Sequence, residues 1–217
     1  MNVVGGMLDT ADSAYHRCPE EERDLLLWAF LQSLKCMYHF CTSEFKRSEK
    51  EMSEGLDIRL KLLSADDLLL ALAYSWLAMA VGAQERYEEG LQLLLEAGKV
   101  LKGPAGDIPT RRLIWGYNTS RNYYCMGNFD QAEKLLSEAL ADAERSKSWY
   151  MQVYGHLTFV SLRTRMGRLD EAKRHVDVAK QILDTSGIAA HFSWLSSYCA
   201  YRAGDVAIKQ GRVEDAM

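Results

Sequence analysis

What most limits the fold of this chain is a repeat of about forty-two residues that holds almost nothing reactive. "GNFDQAEKLLSEAL" (Gly127 to Leu140) aligns with "GRLDEAKRHVDVAK" (Gly167 to Lys180), with "ERYEEGLQLLLEAG" (Glu85 to Gly98) and with the terminal "GRVEDAM" (Gly211 to Met217). The small residues Gly90, Ala132, Ala172 and Ala216 fall at intervals of 42, 40 and 44. One further step back reaches Ser48 in "SEFKRSEKEMSEGLDIRL", a degenerate first copy. Self-similarity at such a period calls for an array of like supersecondary units, each burying its apolar face against the next.

Within each copy a second small residue, Gly55, Ala97, Ala139 or Ala179, follows seven positions later. Seven residues make two helical turns, so both lie on one helix face and let a neighbouring helix approach, while Leu94, Leu136 or Val176 between them fills the groove. Three positions before the first small residue stands Phe45, Tyr87, Phe129, Leu169 or Val213. Two before that, in the last three copies, stands Gly127, Gly167 or Gly211, placed where a left-handed residue ends one helix and turns into the next. None of these glycines opens a phosphate loop, since no strand precedes it and no GxGxxG or GK[ST] follows.

A second amphipathic segment precedes every turn: Asp24 to Phe40, Asp67 to Ala83, Arg111 to Gly127, Trp149 to Gly167 and Phe192 to Gly211. Pro19 with its acidic run, Ser64 with Asp66 and Asp67, and Thr110 after Pro109 are helix-start signals. "KGPAGDIP" (Lys102 to Pro109) reads as the clearest loop. The spacing predicts an all-α chain: a lead-in over 1–19, then helical hairpins over about 20–63, 64–106, 107–147, 148–187 and a shortened 188–217. Only three prolines in 217 residues agree with a helical class.

The residue inventory excludes most chemistry. Five cysteines (Cys18, Cys36, Cys41, Cys125, Cys199) show no CxxC and read as reduced core thiols. The five histidines form no HxxxH or HExxH, and on one helix Cys36, His39 and Cys41 point too far apart to share an ion, so neither metal nor cofactor is expected. No nucleophile pattern is present, and no enzyme is expected. Paired acids (Glu88 with Glu89, Asp170 with Glu171) sit where a helix dipole favours them, and Arg47 with Glu51 reads as an ion pair on a solvated face. Neither a membrane-length apolar run nor a signal peptide is present, which suggests a cytoplasmic chain. The net charge of −4 divides into −7 for residues 1–110 (11 basic, 18 acidic) and +3 for 111–217 (15 basic, 12 acidic). An acidic first half opposes a nucleic-acid partner.

A first helix, a turn, and a second helix carrying small residues seven apart together resemble the tetratricopeptide repeat (TPR). The length of about 42 resembles the long-helix variety of kinesin light chains and of the sensor arms of STAND-type signalling ATPases. Departures fall on the first helix, where the family's fourth-position aromatic is Tyr74, then Gly116 and His156, and its eighth-position small residue is Ala78, then Ser120 and Val160. The resemblance implies an α-solenoid wound as a right-handed superhelix, with a concave groove lined by the first helix of each hairpin. Carried onto this sequence, the groove positions are Trp76, Met79, Tyr117, Asn118, Arg121, Thr158, Arg165, Tyr201 and Arg202. Lys134, Lys173 and Lys180 would lie on the outer wall.

Arginine offers a planar fork suited to carboxylate, and asparagine can hydrogen-bond a peptide backbone. The expectation is a non-catalytic scaffold that holds a protein or peptide segment, acidic or carboxylate-bearing, near Asn118, Arg121, Arg165 and Arg202. The competing expectation is that these arginines pair with neighbouring acids and keep the surface soluble. A sensor or autoinhibitory arm contacting its own upstream domains is the alternative function, and the stop at Met217, early in a second helix, suggests an excerpt of a longer array.

Overall fold

Ten α-helices alternate with short turns in the computed structural model, which describes residues 3–103 and 109–212. They are α1 (Val3–Arg17), α2 (Leu25–Cys41), α3 (Phe45–Leu62), α4 (Leu68–Gly82), α5 (Tyr87–Val100), α6 (Pro109–Cys125), α7 (Phe129–Arg145), α8 (Trp149–Arg165), α9 (Leu169–Ser186) and α10 (Ser193–Lys209). No strand occurs among the described residues, and no helix is long and apolar enough to cross a membrane. The chain divides into two compact units, Met1–Asp107 and Ile108–Met217. In each, antiparallel hairpins stack side by side, α2/α3 beside α4/α5 in the first and α6/α7 beside α8/α9 in the second. This is the α-solenoid class.

The repeat maps onto the packing. Phe45, Tyr87, Phe129 and Leu169 each begin the second helix of a hairpin. The small residues Ser48, Gly90, Ala132 and Ala172, and their partners seven later, are all buried, with Met52, Leu94, Leu136 and Val176 buried between them. Small side chains on this face let the first helix of the hairpin close in, and the intervening large residue fills the remaining space. Ala78, Ser120 and Val160 are buried on the first helices, so the departures from the eighth-position pattern are absorbed within the core.

The turns confirm one expectation and extend it. Gly127, Gly167 and Gly211 have φ of 81°, 72° and 77°. The equivalent positions of the first two hairpins are Ser43 and Glu85, both at φ 64°. A left-handed residue therefore occurs at every such turn, and the first two copies use side chains for which it costs ~1–2 kcal/mol. Helix starts also differ in part from expectation. Asp24 caps α2 and Asp67 caps α4 through their carboxylates, whereas the acids after Pro19 form a separate 3-10 turn, Glu20–Glu22. The Lys102–Pro109 loop lies largely in 104–108, and Val213 and Ala216 near the end; both are outside the described residues.

Two readings of individual side chains are corrected. Arg47 pairs with Glu44 at 2.8 Å, not with Glu51. Glu51 is buried, and its Oε2 lies 2.6 Å from His39 Nδ1, because the face of α3 bearing Ser48, Met52 and Gly55 also carries residue 51 toward α2. Cys36 meets Ser48 at 3.2 Å, and its thiol is pushed up to about 11 by burial, while Cys41 is exposed.

Candidate functional site

The second unit presents the first helices of its hairpins, α6, α8 and α10, side by side. Aromatic residues recur on them at helical spacing: Tyr117 and Tyr124 on α6, Tyr150 and Tyr154 on α8, Trp194 and Tyr198 on α10. Separations of four and seven residues keep each pair on one face, so three helices contribute to one aromatic layer. Tyr154 meets Tyr117 edge to face at 5.4 Å and Trp194 at 6.5 Å, and Trp194 lies 6.4 Å from Tyr198. Tyr150 extends the layer to Phe192 at 4.9 Å and to Trp194 at 6.1 Å. Such ring pairs add ~0.5–1.5 kcal/mol each beyond their buried area, which makes the layer a stiff floor. Burial, with Tyr198 close by, pushes the Tyr154 hydroxyl up to about 12, so the floor stays neutral.

Three arginines stand against this floor. Arg165 lies over the Tyr124 ring at 5.7 Å, and Arg202 over Tyr198 at 5.0 Å and Tyr201 at 5.5 Å. Arg202 also donates from Nε and Nη2 to the Tyr198 hydroxyl, at 3.1 and 2.9 Å. Arg121 is close enough for its charge to act on both Tyr124 and Tyr154. Among the described residues none of the three is in an ion pair. The carboxylates of this unit that form ion pairs do so with other cations, as Glu133 and Glu171 do with Arg163 (2.6 and 3.0 Å), Asp177 with Lys173 and Asp205 with Lys209. Most of the guanidinium donors of Arg121, Arg165 and Arg202 therefore remain available.

The remaining expected groove positions divide. Asn118 is buried one turn before Asn122, which donates to the Asn118 carbonyl at 3.0 Å; no described residue hydrogen-bonds the Asn118 carboxamide, and Asn122 Oδ1 is buried without a partner. Tyr201 is exposed beside Arg202. Tyr117 and Thr158 lie inside: the Tyr117 hydroxyl donates to the Met151 carbonyl at 2.9 Å, and Thr158 donates back to Tyr154 of its own helix at 2.8 Å. Trp76 belongs to the first unit, half-buried on α4 with its ring 6.2 Å from Phe40. Tyr124, Tyr154, Trp194 and Tyr198, which line this face beside the expected arginines, were not among the expected groove positions, although spacings of four or seven between aromatic residues were visible in the sequence.

Behind the floor, α8 and α9 share a polar contact. His156 and His175 meet through their Nδ1 atoms at 3.0 Å, and His175 stacks on Phe159 at 4.6 Å. Burial, followed by the charges of His156, Arg163 and Arg174, depresses His175 to about 4. No group of three His, Cys, Asp or Glu side chains converges as a metal site among the described residues.

No protein-family model matches this sequence, and no curated protein does. Solved structures do. A Rap protein complexed with competence and sporulation factor superposes with a TM-score of 0.80 at 14% identity, over 98% of this chain and 55% of that one. The Rap conjugation gene regulator of plasmid pLS20, in complex with the Phr* peptide, gives 0.73 at 15% identity over 89% and 51%. Kinesin-light-chain TPR-like repeats of Podosopora anserina give 0.64 at 14% identity over 84% and 86%. The chain spans about half the length of the Rap structures it matches. At these identities the likeness shows the fold, which is TPR-like.

Proposed function

We propose that this chain is a non-catalytic scaffold of the long-repeat, kinesin-light-chain-like kind that binds an acidic protein or peptide segment on the α6, α8 and α10 face of its second unit. The observation that carries this reading is the set of three arginines without a carboxylate partner among the described residues, Arg165 and Arg202 lying over rings of the aromatic floor and Arg121 near enough for its charge to act on Tyr124 and Tyr154. The Arg165 and Arg202 guanidinium groups, already braced by rings, lose little freedom when their N–H fork donates to a carboxylate. Asn118 supplies an unspent carboxamide for a peptide backbone, and exposed Tyr201 an edge to pack on. The Rap regulator of plasmid pLS20, which has the same fold, is in complex with the Phr* peptide, and this supports a peptide-sized occupant. A sensor arm for upstream domains has no observation in its favour.

The test is selection of binders from a random peptide library against the intact chain, followed by fluorescence anisotropy with wild-type protein and Arg121→Glu/Arg202→Glu. Enrichment of Asp and Glu, and at least about tenfold weaker binding by the double variant, is expected. Peptides without acidic bias, or equal binding by the variant, would overturn the proposal.

A further inference from the structure

The first unit carries an apolar surface that the proposed function does not use. Leu27, Phe30, Leu34 and Met37 recur on α2 at spacings of three, four and three, and they are 57%, 55%, 39% and 39% exposed. Val4 and Met7 on α1, also exposed, begin a matching series that continues through Ala11 and Ala14. A cleft of about 500 Å³ runs between the two helices, with Ala11 and Ala14 on one wall and Leu27, Phe30 and Leu34 on the other. Stacking of Tyr15 on Trp28 at 4.6 Å and the Lys35–Asp12 pair at 2.7 Å hold the walls in place. Small residues facing large ones make a trough whose apolar length along α2 is ~15 Å, matching three turns of one more helix.

Charge around this trough selects the occupant. Residues 3–37 contain six acids, Asp9, Asp12, Glu20, Glu21, Glu22 and Asp24, against Arg17, Arg23 and Lys35. Two of those cations are already engaged, Lys35 by Asp12 and Arg23 by the carbonyls of Cys18 and His16 at 2.9 and 2.8 Å. Glu22 and Asp24 line the cleft itself, on either side in sequence of the engaged Arg23. A second copy would bring this acidic rim against its own like, and an anionic lipid surface would meet the same repulsion. We propose that the α1–α2 trough receives one amphipathic helix whose apolar stripe is flanked by lysine or arginine. Its leucine-sized side chains would cover Phe30 and Leu34, and its basic flank would face Glu20, Glu21 and Glu22.

Two synthetic peptides of about 18 residues serve as probes, with identical leucine stripes at positions i, i+3, i+4 and i+7, one flanked by lysine and the other by glutamate. Binding to the intact chain is followed by anisotropy at low and at roughly 0.5 M salt. The lysine peptide is expected to bind about tenfold or more tightly than its counterpart, and to lose that margin in high salt. Phe30→Ser/Leu34→Ser and Glu20→Gln/Glu21→Gln/Glu22→Gln should each weaken it about tenfold. All altered positions are exposed, and circular dichroism checks that both variants stay folded. Equal binding of the two peptides, or binding untouched by the Phe30/Leu34 variant, would overturn the proposal. So would a dimer in sedimentation that the same variant abolishes, since the face would then be a self-interface.

Discussion

Gly155 on α8 packs directly against Tyr117 of α6, the first helix of the neighbouring hairpin. A Cβ built there would sit 2.7 Å from the Tyr117 hydroxyl oxygen and 3.1 Å from both Tyr117 Cζ and Leu140 Cδ1. Tyr117 is fully buried and tied through its hydroxyl to the Met151 carbonyl, so it is not a flexible chain end that can swing away. Two effects oppose each other in Gly155→Ala. Helix propensity favours alanine by ~1 kcal/mol, while overpacking costs ~1–3 kcal/mol and displacement of Tyr117 forfeits a hydrogen bond of ~0.5–1.5 kcal/mol. The net expectation is a loss of about 0.5–3.5 kcal/mol. Tyr117→Phe removes the nearest atom, so the double variant should be more stable than the sum of the two single losses predicts, with a coupling of about 1 kcal/mol or more. Urea unfolding of the intact chain, followed by far-ultraviolet circular dichroism, measures all four corners of the cycle. Stabilisation by Gly155→Ala alone, or strict additivity, would refute the claim that Tyr117 is held rigidly against α8.

Three further outcomes follow from the same physics. His175 is depressed to about 4, so the unfolded chain binds its proton first; the contribution of this group to stability should be constant above about pH 7 and fall as pH drops from roughly 6.5 toward 4, at up to ~1.4 kcal/mol per unit. Subtracting the pH profile of His175→Phe, which keeps the stack on Phe159, should leave a difference in slope confined to that window; parallel profiles would contradict it. Glu85→Gly should raise stability by about 0.5–1 kcal/mol, left-handed strain outweighing the lost chain restriction, while Gly127→Ala, which meets no atom within 4 Å, should lose about 1 kcal/mol; thermal melts of both decide it. A maleimide probe at neutral pH should label exposed Cys41 well before Cys36 and Cys199, whose thiols burial pushes up, as peptide mass mapping would report.

How much the sequence revealed depended on whether a signal was local. Small residues seven apart on α3, α5, α7 and α9 were legible, because a tight helix crossing tolerates few alternatives and the choice recurs with every copy. The turns at Ser43 and Glu85 were hidden, since neither residue type announces a positive φ. Glu51 sat within a run of alternating charges and looked solvated; only the docking of α2 shows that it faces His39. Carrying groove positions over by ordinal count brought Tyr117 and Thr158 into the set, although one is committed to Met151 and the other to its own helix. The aromatic floor joins residues as far apart as Tyr117 and Tyr198, and its closure depends on three helices lying side by side. No single-helix pattern encodes that arrangement.

The proposed binding face is tested most directly by side-chain nuclear magnetic resonance of the arginine Nε–Hε groups while a selected acidic peptide is titrated into the intact chain. The account predicts large, saturable shifts at Arg121, Arg165 and Arg202 with the same midpoint as the anisotropy curve, and little change at Arg163, which Glu133 and Glu171 already hold. Shifts confined to Arg145, Arg168 and Arg174, outside that face, with those three arginines unmoved, would contradict it.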